Sequence, residues 1–273
     1  MRYGIVLTTG DIHEISDMAA EAEAAGWDGV FTWDGLNIAG MPSYDPWVTM
    51  ASIAMRTERV RFGAIVTPPS RRRPWKLARE TMTLDHLSGG RLVLPVGLGA
   101  IDDLGFGGVG EATDRRVRAE LLDETLEILT LAWSGAPFRY DGTHYQMAEM
   151  TFQPPSLQQP RIPIWVVALW PRPKSVARAF RYDGIMPAVG PPPDHSPTTA
   201  DIQAIAAAAR EHKGEGEPFD IVIEGTTPTA DASAARQQMQ PLAEAGATWW
   251  IESPWESPSV ASLRERIGAG PPR

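Results

Sequence analysis

Ala25-Gly26-Trp27-Asp28-Gly29-Val30-Phe31 reads as the last residue of a helix, a glycine stop, a short loop and the opening of a strand. Upstream, Ile15, Met18, Ala19, Ala22 and Ala25 fall at helical spacing. Asp11 with Glu14 three positions on forms a capping box at the start of that helix. Before it, Ile5-Val6-Leu7 reads as a short buried strand that ends in Thr8-Thr9-Gly10. The segment up to Asp34 is therefore a strand–helix–strand unit, and such a crossover implies parallel pairing. The same helix-end, loop, strand pattern returns at Arg181-Tyr182-Asp183-Gly184-Ile185-Met186 and at Ala245-Gly246-Ala247-Thr248-Trp249-Trp250-Ile251. Units of this kind spread from one end of the chain to the other favour one continuous barrel over two domains.

The sequence between them supplies the remaining elements. A helix around 47–55 leads to a third strand over 60–66, closed by Thr67-Pro68-Pro69. Pro74 suits the first turn of a helix that runs to about Leu87 and stops at Ser88-Gly89-Gly90. The fourth strand is expected over 91–96, irregular because Pro95 lacks a ladder donor. After a glycine-rich excursion (Gly105, Gly107, Gly108, Gly110) comes a helix with the core stripe Leu121, Leu122, Thr125, Leu126, Leu129, Ala132 and Trp133. Asp141-Gly142, between two aromatic-bearing arms over 138–145, predicts a tight hairpin inserted into the main repeat. Strands five to eight are expected over 162–168, 184–188, 219–224 and 248–252. A Pro-rich loop (Pro191, Pro192, Pro193, Pro197) and an Ala-rich helix over 200–212 lie between strands six and seven. The expected fold is α/β, a single (β/α)8 TIM barrel over residues 1–273 with a small hairpin insertion; a doubly wound sheet is the alternative.

Composition excludes several function classes. A net charge of −9 and a pI near 5.1 argue against a broad nucleic-acid surface, which needs clustered positive charge. The absence of cysteine excludes disulfides, thiolate catalysis and zinc–cysteine sites. With no basic leader and no apolar run of the ~20 residues that a membrane helix needs, a cytoplasmic protein without membrane partners is expected.

In a barrel, function belongs at the carboxyl ends of the strands. Those ends read Thr8-Thr9, Trp33-Asp34, Thr67-Pro68, Gly97-Leu98-Gly99, Ala168-Leu169-Trp170, Pro187, Glu224 and Glu252-Ser253-Pro254-Trp255. A rim of aromatic, small and proline residues with a few carboxylates suits a flat, largely apolar ligand. His13, His86, His144, His195 and His212 share no helical spacing for ligation, so no metal is expected. Gly97 and Gly99 serve either a tight turn or the close approach of backbone to a ligand. Arg71-Arg72-Arg73 reads as a solvated helix flank, with phosphate binding as the alternative. Arg172, Lys174 and Ser175 are either ordinary helix-entry residues or a phosphate site. Asp34 either caps a turn or positions substrate and relays a proton. His86 suits a helix C-terminus, and no serine stands on a nucleophile elbow.

Arg73-Pro74-Trp75-Lys76-Leu77-Ala78-Arg79-Glu80-Thr81, Thr83-Leu84-Asp85-His86-Leu87-Ser88-Gly89-Gly90-Arg91-Leu92 and Val96-Gly97-Leu98-Gly99 closely resemble the bacterial luciferase-like monooxygenase family. The stretches 25–31, 138–145 and 245–252 fit the same family, so the resemblance runs nearly end to end. It implies a TIM-like barrel holding reduced FMN or the deazaflavin F420 in its mouth, often as a homodimer. The implied chemistry is oxygen insertion with FMN, or hydride transfer with F420. By position, the resemblance places Trp33, Val66 and Thr67 at the cofactor ring, with a strained or cis peptide near Val66-Thr67-Pro68. Gly97 and Gly99 flank the cofactor, and Ala168, Leu169, Trp170, Arg172, Lys174 and Ser175 approach its phosphate. Gly35 stands where many relatives carry histidine, which leaves Asp34 as the catalytic acid–base candidate. Ala168-Leu169 replaces a pair of glycines and narrows the phosphate pocket. The expected function is a flavin-dependent oxidoreductase or monooxygenase acting on a small organic substrate with reduced FMN and oxygen, supplied by a separate flavin reductase. The alternatives are an F420-dependent hydride-transfer enzyme, a non-catalytic flavin-binding barrel, and a flavin-free hydrolase using Asp34 and Glu224.

Overall fold

The computed structural model describes residues 1–100, 102–190, 196–214, 216–256 and 259–273. Asp11 accepts from the His13 and Glu14 backbone N–H groups, Glu14 accepts from that of Asp11, and α1 (Ile12–Ala24) follows from this capping box. It carries the chain from β1 (Arg2–Val6) to β2 (Gly29–Thr32), which pair in parallel with Gly4 opposite Gly29 and Val6 opposite Phe31. The unit then repeats. α2 (Pro46–Arg56), capped by Asp45, leads to β3 (Arg61–Ala64), and α3 (Pro74–Ser88) to β4 (Leu94–Val96). α3 has Pro74 in its first turn and ends at Gly89 in a left-handed conformation, φ 65°, as the sequence predicts.

α4 (Arg115–Trp133) precedes a two-stranded hairpin, β5 (Phe138–Asp141) and β6 (Gln146–Met150). The barrel resumes with β7 (Ile164–Trp170), α5 (Pro173–Phe180) and β8 (Gly184–Val189). It finishes with α6 (Thr199–Lys213), β9 (Asp220–Gly225), α7 (Ala232–Ala245), β10 (Trp249–Glu252) and α8 (Val260–Gly268). Among the described residues eight parallel strands run in the order β3-β2-β1-β10-β9-β8-β7-β4. Isolated parallel bridges, Phe62 with Leu92 and Thr67 with Val96, close β4 back onto β3. The α/β TIM barrel and its hairpin insertion are therefore present.

The closure is irregular for the reason expected at Pro95. That residue offers no N–H, and its ring lies over Gly63, where a Cβ would stand 2.9 Å from Pro95 Cδ and 2.5 Å from the Val93 carbonyl oxygen. Pro95 still accepts from the Thr67 N–H at 2.9 Å, so the ladder survives on the acceptor side. The hairpin differs from the expectation of a tight Asp141-Gly142 turn. Its arms are 138–141 and 146–150, joined by residues 142–145 with the Gly142 N–H donating to the Tyr145 carbonyl. Glu124 of α4 accepts from the Thr143, His144 and Tyr145 N–H groups at 2.8–3.1 Å and tethers the turn to α4.

The Leu84–Leu92 stretch that carries the family resemblance turns out to hold the scaffold. Asp85, fully buried, accepts from Leu157 N (2.7 Å), Gln158 N (3.1 Å) and Gln158 Nε2 (2.8 Å). Arg91 donates to the carbonyls of Ala54, Thr57, Val60 and Ser88 and to the Thr57 hydroxyl, all within 3.0 Å. Together they tie α2, α3, β3 and the 156–158 loop to one end of the barrel. His86, expected to serve the helix C-terminus, lies in the last turn of α3 with Nε2 2.7 Å from the Pro155 carbonyl.

Candidate active site

Strand parity sorts the side chains into two cores. Val6, Phe31, Ile65, Val93, Trp165, Met186, Val222, Trp249 and Ile251 point into the barrel, while their neighbours pack against the helices. Phe31, Trp165 and Trp249 stand with ring centroids 5.2–6.2 Å apart and plug the interior. Above this plug, at the carboxyl ends of the strands, opens a cavity of about 540 Å³. Its floor is Ile65, Val66, Val167, Met186 and Val222. Its walls come from the loops after the strands: Trp33 and Asp34 after β2, Ile38 and Met41 beyond them, Gly99 and Ala100 after β4, and Trp255 after β10. Pro187, Ala188, Ser196 and Pro197 complete one side; Pro191, Pro192, Pro193 and His195 of the expected Pro-rich loop lie outside the described residues.

Two polar arrangements stand at this mouth. In the first, Arg72 grips both Asp34 carboxylate oxygens, with Nη2 at 2.7 and 2.8 Å and Nε at 3.2 Å. Arg71 donates to the Asp34 carboxylate and carbonyl and reaches Asp103 with its other terminal nitrogen. Asp103 also accepts from the Leu36, Asn37 and Gly105 N–H groups. Burial alone would raise the Asp103 pKa, but these backbone donors and Arg71 hold it down to about 2. Arg118 sits 3.8 Å from the Phe106 ring centroid and donates to the Gly99 carbonyl. Its pKa is lowered by burial first, then by Arg115 and Arg71. In the second arrangement, Trp255 Nε1 donates to Glu224 Oε1 at 2.9 Å, and its ring stands edge-on to Trp33, centroids 6.4 Å apart at 86°.

A model of the luciferase-like monooxygenase family matches residues 1–269 of the chain. The chain belongs to this family. Among curated relatives, the F420-dependent glucose-6-phosphate dehydrogenase of Microbacterium testaceum (strain StLB037) is 31% identical over 166 residues, covering 58% of this chain and 48% of that protein. The chain thus spans about half the length of the curated relatives it matches. Among solved structures, an F420-dependent secondary alcohol dehydrogenase in complex with an F420-acetone adduct superposes with a TM-score of 0.79 at 16% identity, over 98% of this chain and 97% of the other. A monooxygenase from Streptomyces bottropensis gives 0.77 at 19% identity, over 98% and 96%. Members of this luciferase-like group are flavin- or F420-dependent oxidoreductases or monooxygenases.

The luciferase-like barrel brings part of the predicted set together. Trp33, Asp34, Val66 and Gly99 line the cavity, and the peptide between Ile65 and Val66 is cis. Gly97 lies beneath, where a Cβ would meet Val66 Cγ2 and Val167 Cβ at 3.2–3.3 Å. Thr67 is fully buried, its hydroxyl without a partner among the described residues, and it does not line the cavity. Ala168 turns to the helix layer. β7 stays paired with β8 through Leu169 opposite Ala188 and Trp170 opposite Val189. Trp170 packs toward Val176 and Phe180 of α5. Ser175 accepts from the Leu169 N–H at 2.9 Å, while Arg172 and Lys174 are exposed at the start of α5 and form no ion pair among the described residues. Gly35, found where many relatives carry histidine, leaves room for Trp33: a Cβ there would lie 2.5 Å from Trp33 Cζ3.

One reading of the sequence needs correction. Arg71 and Arg72 are not a solvated flank; their side chains are 7% and 19% exposed, because Asp34 and Asp103 draw them inward, and only Arg73 is exposed. Asp34, the acid–base candidate, has its carboxylate held by both Arg71 and Arg72. Among the cavity residues the sequence left unassigned, Met186 and Val222 carried a usable signal, the strand alternation that turns them inward. Ile38 and Met41 carried none, because their loop has no periodicity.

Proposed function

We propose that the chain is an F420-dependent hydride-transfer oxidoreductase acting on a small organic substrate in the barrel-mouth cavity. The observation that carries the proposal is the cavity itself: about 540 Å³, floored by aliphatic side chains at the carboxyl ends of the strands. Pockets of this size and apolarity suit a planar heterocycle and one small partner. The residues fit such a group. Ile65, Val66, Val167 and Met186 offer it an apolar face, and Gly99, at φ 81°, offers backbone without a side chain. Arg172 and Lys174, cations without an acidic partner among the described residues, and the Ser175 hydroxyl would hold its phosphate. When bound, the deazaflavin supplies a two-electron hydride donor or acceptor. Trp33 and Trp255 shield the cavity from water, and the Asp34–Arg71–Arg72–Asp103 network keeps the loops after β2 and β4 in place around it.

The curated relative at 31% identity, named as F420-dependent, supports F420 over FMN. Reduced FMN with oxygen is the second reading, supported by the likeness to the Streptomyces monooxygenase. A homodimer and, for the FMN reading, a separate flavin reductase complete the proposal. Among the described residues no helix is long and apolar enough to cross a membrane. Titration of the purified chain with F420 and with FMN, followed by cofactor fluorescence, tests the assignment. F420 is expected to bind at least about ten-fold more tightly. Replacing both Arg172 and Lys174 by alanine should weaken it by about ten-fold or more, the scale of a charge-assisted phosphate contact. Tighter binding of FMN reverses the preference, and binding of neither overturns the proposal.

A further inference from the structure

Glu224 is the one charged group lining the cavity that no cation neutralises among the described residues. Asp34, the other carboxylate there, is held by Arg71 and Arg72, and among the described residues no lysine or arginine lines the cavity. Glu224 stands at the end of β9, two residues after Val222 of the cavity floor, so strand parity turns it toward the same space. One of its oxygens, Oε1, accepts from Trp255 Nε1 at 2.9 Å; Oε2 has no partner among the described residues. The Trp255 ring is fixed in turn against Trp33. The result is a carboxylate oriented by one tryptophan between two aromatic walls, with its second oxygen open to a ligand.

We infer that Glu224 recognises the substrate through Oε2, and that the substrate is an uncharged alcohol whose hydroxyl donates to it, while anionic substrates are turned away. Trp255 is a positioning residue that holds the carboxylate in place. The inference rests on the proposed function only in placing the substrate in this cavity. An anion such as a sugar phosphate would meet the unneutralised Glu224 at close range, and like charges brought together cost several kcal/mol. The two guanidiniums at the mouth are turned to Asp34 and Asp103. A hydroxyl donor gains a charge-assisted hydrogen bond at Oε2 and stacks its carbon skeleton on indole rings. The specificity therefore differs from that named for the glucose-6-phosphate dehydrogenase relative, whose substrate carries a phosphate.

Four probes of one shape separate the possibilities: cyclohexanol, cyclohexanone, cyclohexylammonium and cyclohexanecarboxylate. Their dissociation constants are read from intrinsic tryptophan fluorescence at pH 7, on the cofactor-free chain and again with F420 added. The wild type should bind cyclohexanol at least about ten-fold more tightly than cyclohexanecarboxylate, and more tightly than cyclohexanone. Glu224→Gln removes the charge and, with its single oxygen taken by Trp255 Nε1, turns an N–H₂ toward the ligand, so it should weaken cyclohexanol and cut the discrimination against the carboxylate to under about three-fold. Trp255→Phe keeps an aromatic wall but frees Glu224, so it should weaken cyclohexanol and leave the carboxylate affinity unchanged; a merely structural role would shift both alike. Equal or tighter binding of cyclohexanecarboxylate by the wild type overturns the inference. So does a ratio unmoved by Glu224→Gln, tightest binding of cyclohexylammonium, or binding of none of the four. Because the readout does not need the cofactor, selective alcohol binding with no F420 binding would sink the cofactor assignment alone.

Discussion

Asp103→Asn is the perturbation that tests the mouth of the barrel most directly. Asp103 accepts from Leu36 N (3.1 Å), Asn37 N (2.9 Å) and Gly105 N (2.8 Å), and pairs with Arg71. Both side chains of that pair are almost sealed from water, 7% and 2% exposed, so removing one charge leaves the other buried and undercompensated. The pKa of Asp103, about 2 against an ordinary 3.8, corresponds to about 2 to 3 kcal/mol at about 1.4 kcal/mol per pKa unit. Asparagine also turns an amide N–H₂ toward donors, so a total loss of about 3 kcal/mol is expected at pH 7. The folded-state pKa is depressed, so this stability is fully present well above the unfolded value near 3.8. It is lost as pH falls toward 2, and about half of the titratable part is gone at pH 3. Urea unfolding of wild type and variant at both pH values measures the gap. Hydrogen exchange at the Leu36, Asn37 and Gly105 amides shows whether the loops after β2 and β4 separate first. A gap below about 0.5 kcal/mol at pH 7, or one that does not narrow at pH 3, would refute the reasoning.

Gly35→Ala should push Trp33 off the cavity wall, since the new Cβ stands 2.5 Å from Cζ3 and 2.8 Å from Ile38 Cδ1. The expected cost is about 1–3 kcal/mol, with a shift in tryptophan emission; unchanged emission and stability would show that the indole yields freely. Arg91→Lys keeps the charge but cannot serve the Ala54, Thr57, Val60 and Ser88 carbonyls together. Unfolding free energy in urea should fall by about 3 kcal/mol, and a loss under about 1 would mean that water or rearrangement satisfies those carbonyls.

How far the site could be read from sequence follows from what each residue depends on. Trp33, Val66 and Gly99 were legible because each lies within three residues of a strand end, and strand ends are set by local signals. Ala168 was placed at the cofactor phosphate but faces the helices, because β7 runs on in register with β8 to Trp170 instead of breaking into a loop. The hairpin was legible as an insertion from Asp141-Gly142. Its loop was not, because Glu124, 19 to 21 positions upstream, sets the turn by accepting three backbone donors.

The sequence by itself determined the repeated strand–helix alternation, the helix cap at Asp11 and the break at Pro95. Each of these rests on backbone geometry and hydrogen bonds within a few residues, so the local pattern carries them. Only the tertiary structure decided that Arg71 and Arg72 serve Asp34, 37 and 38 positions away, and that Trp255 orients Glu224 across 31 positions. Those pairings exist because barrel closure brings the carboxyl ends of distant strands to one rim. A charged side chain there takes the partner that the rim presents, and no periodicity in the chain encodes which one that is.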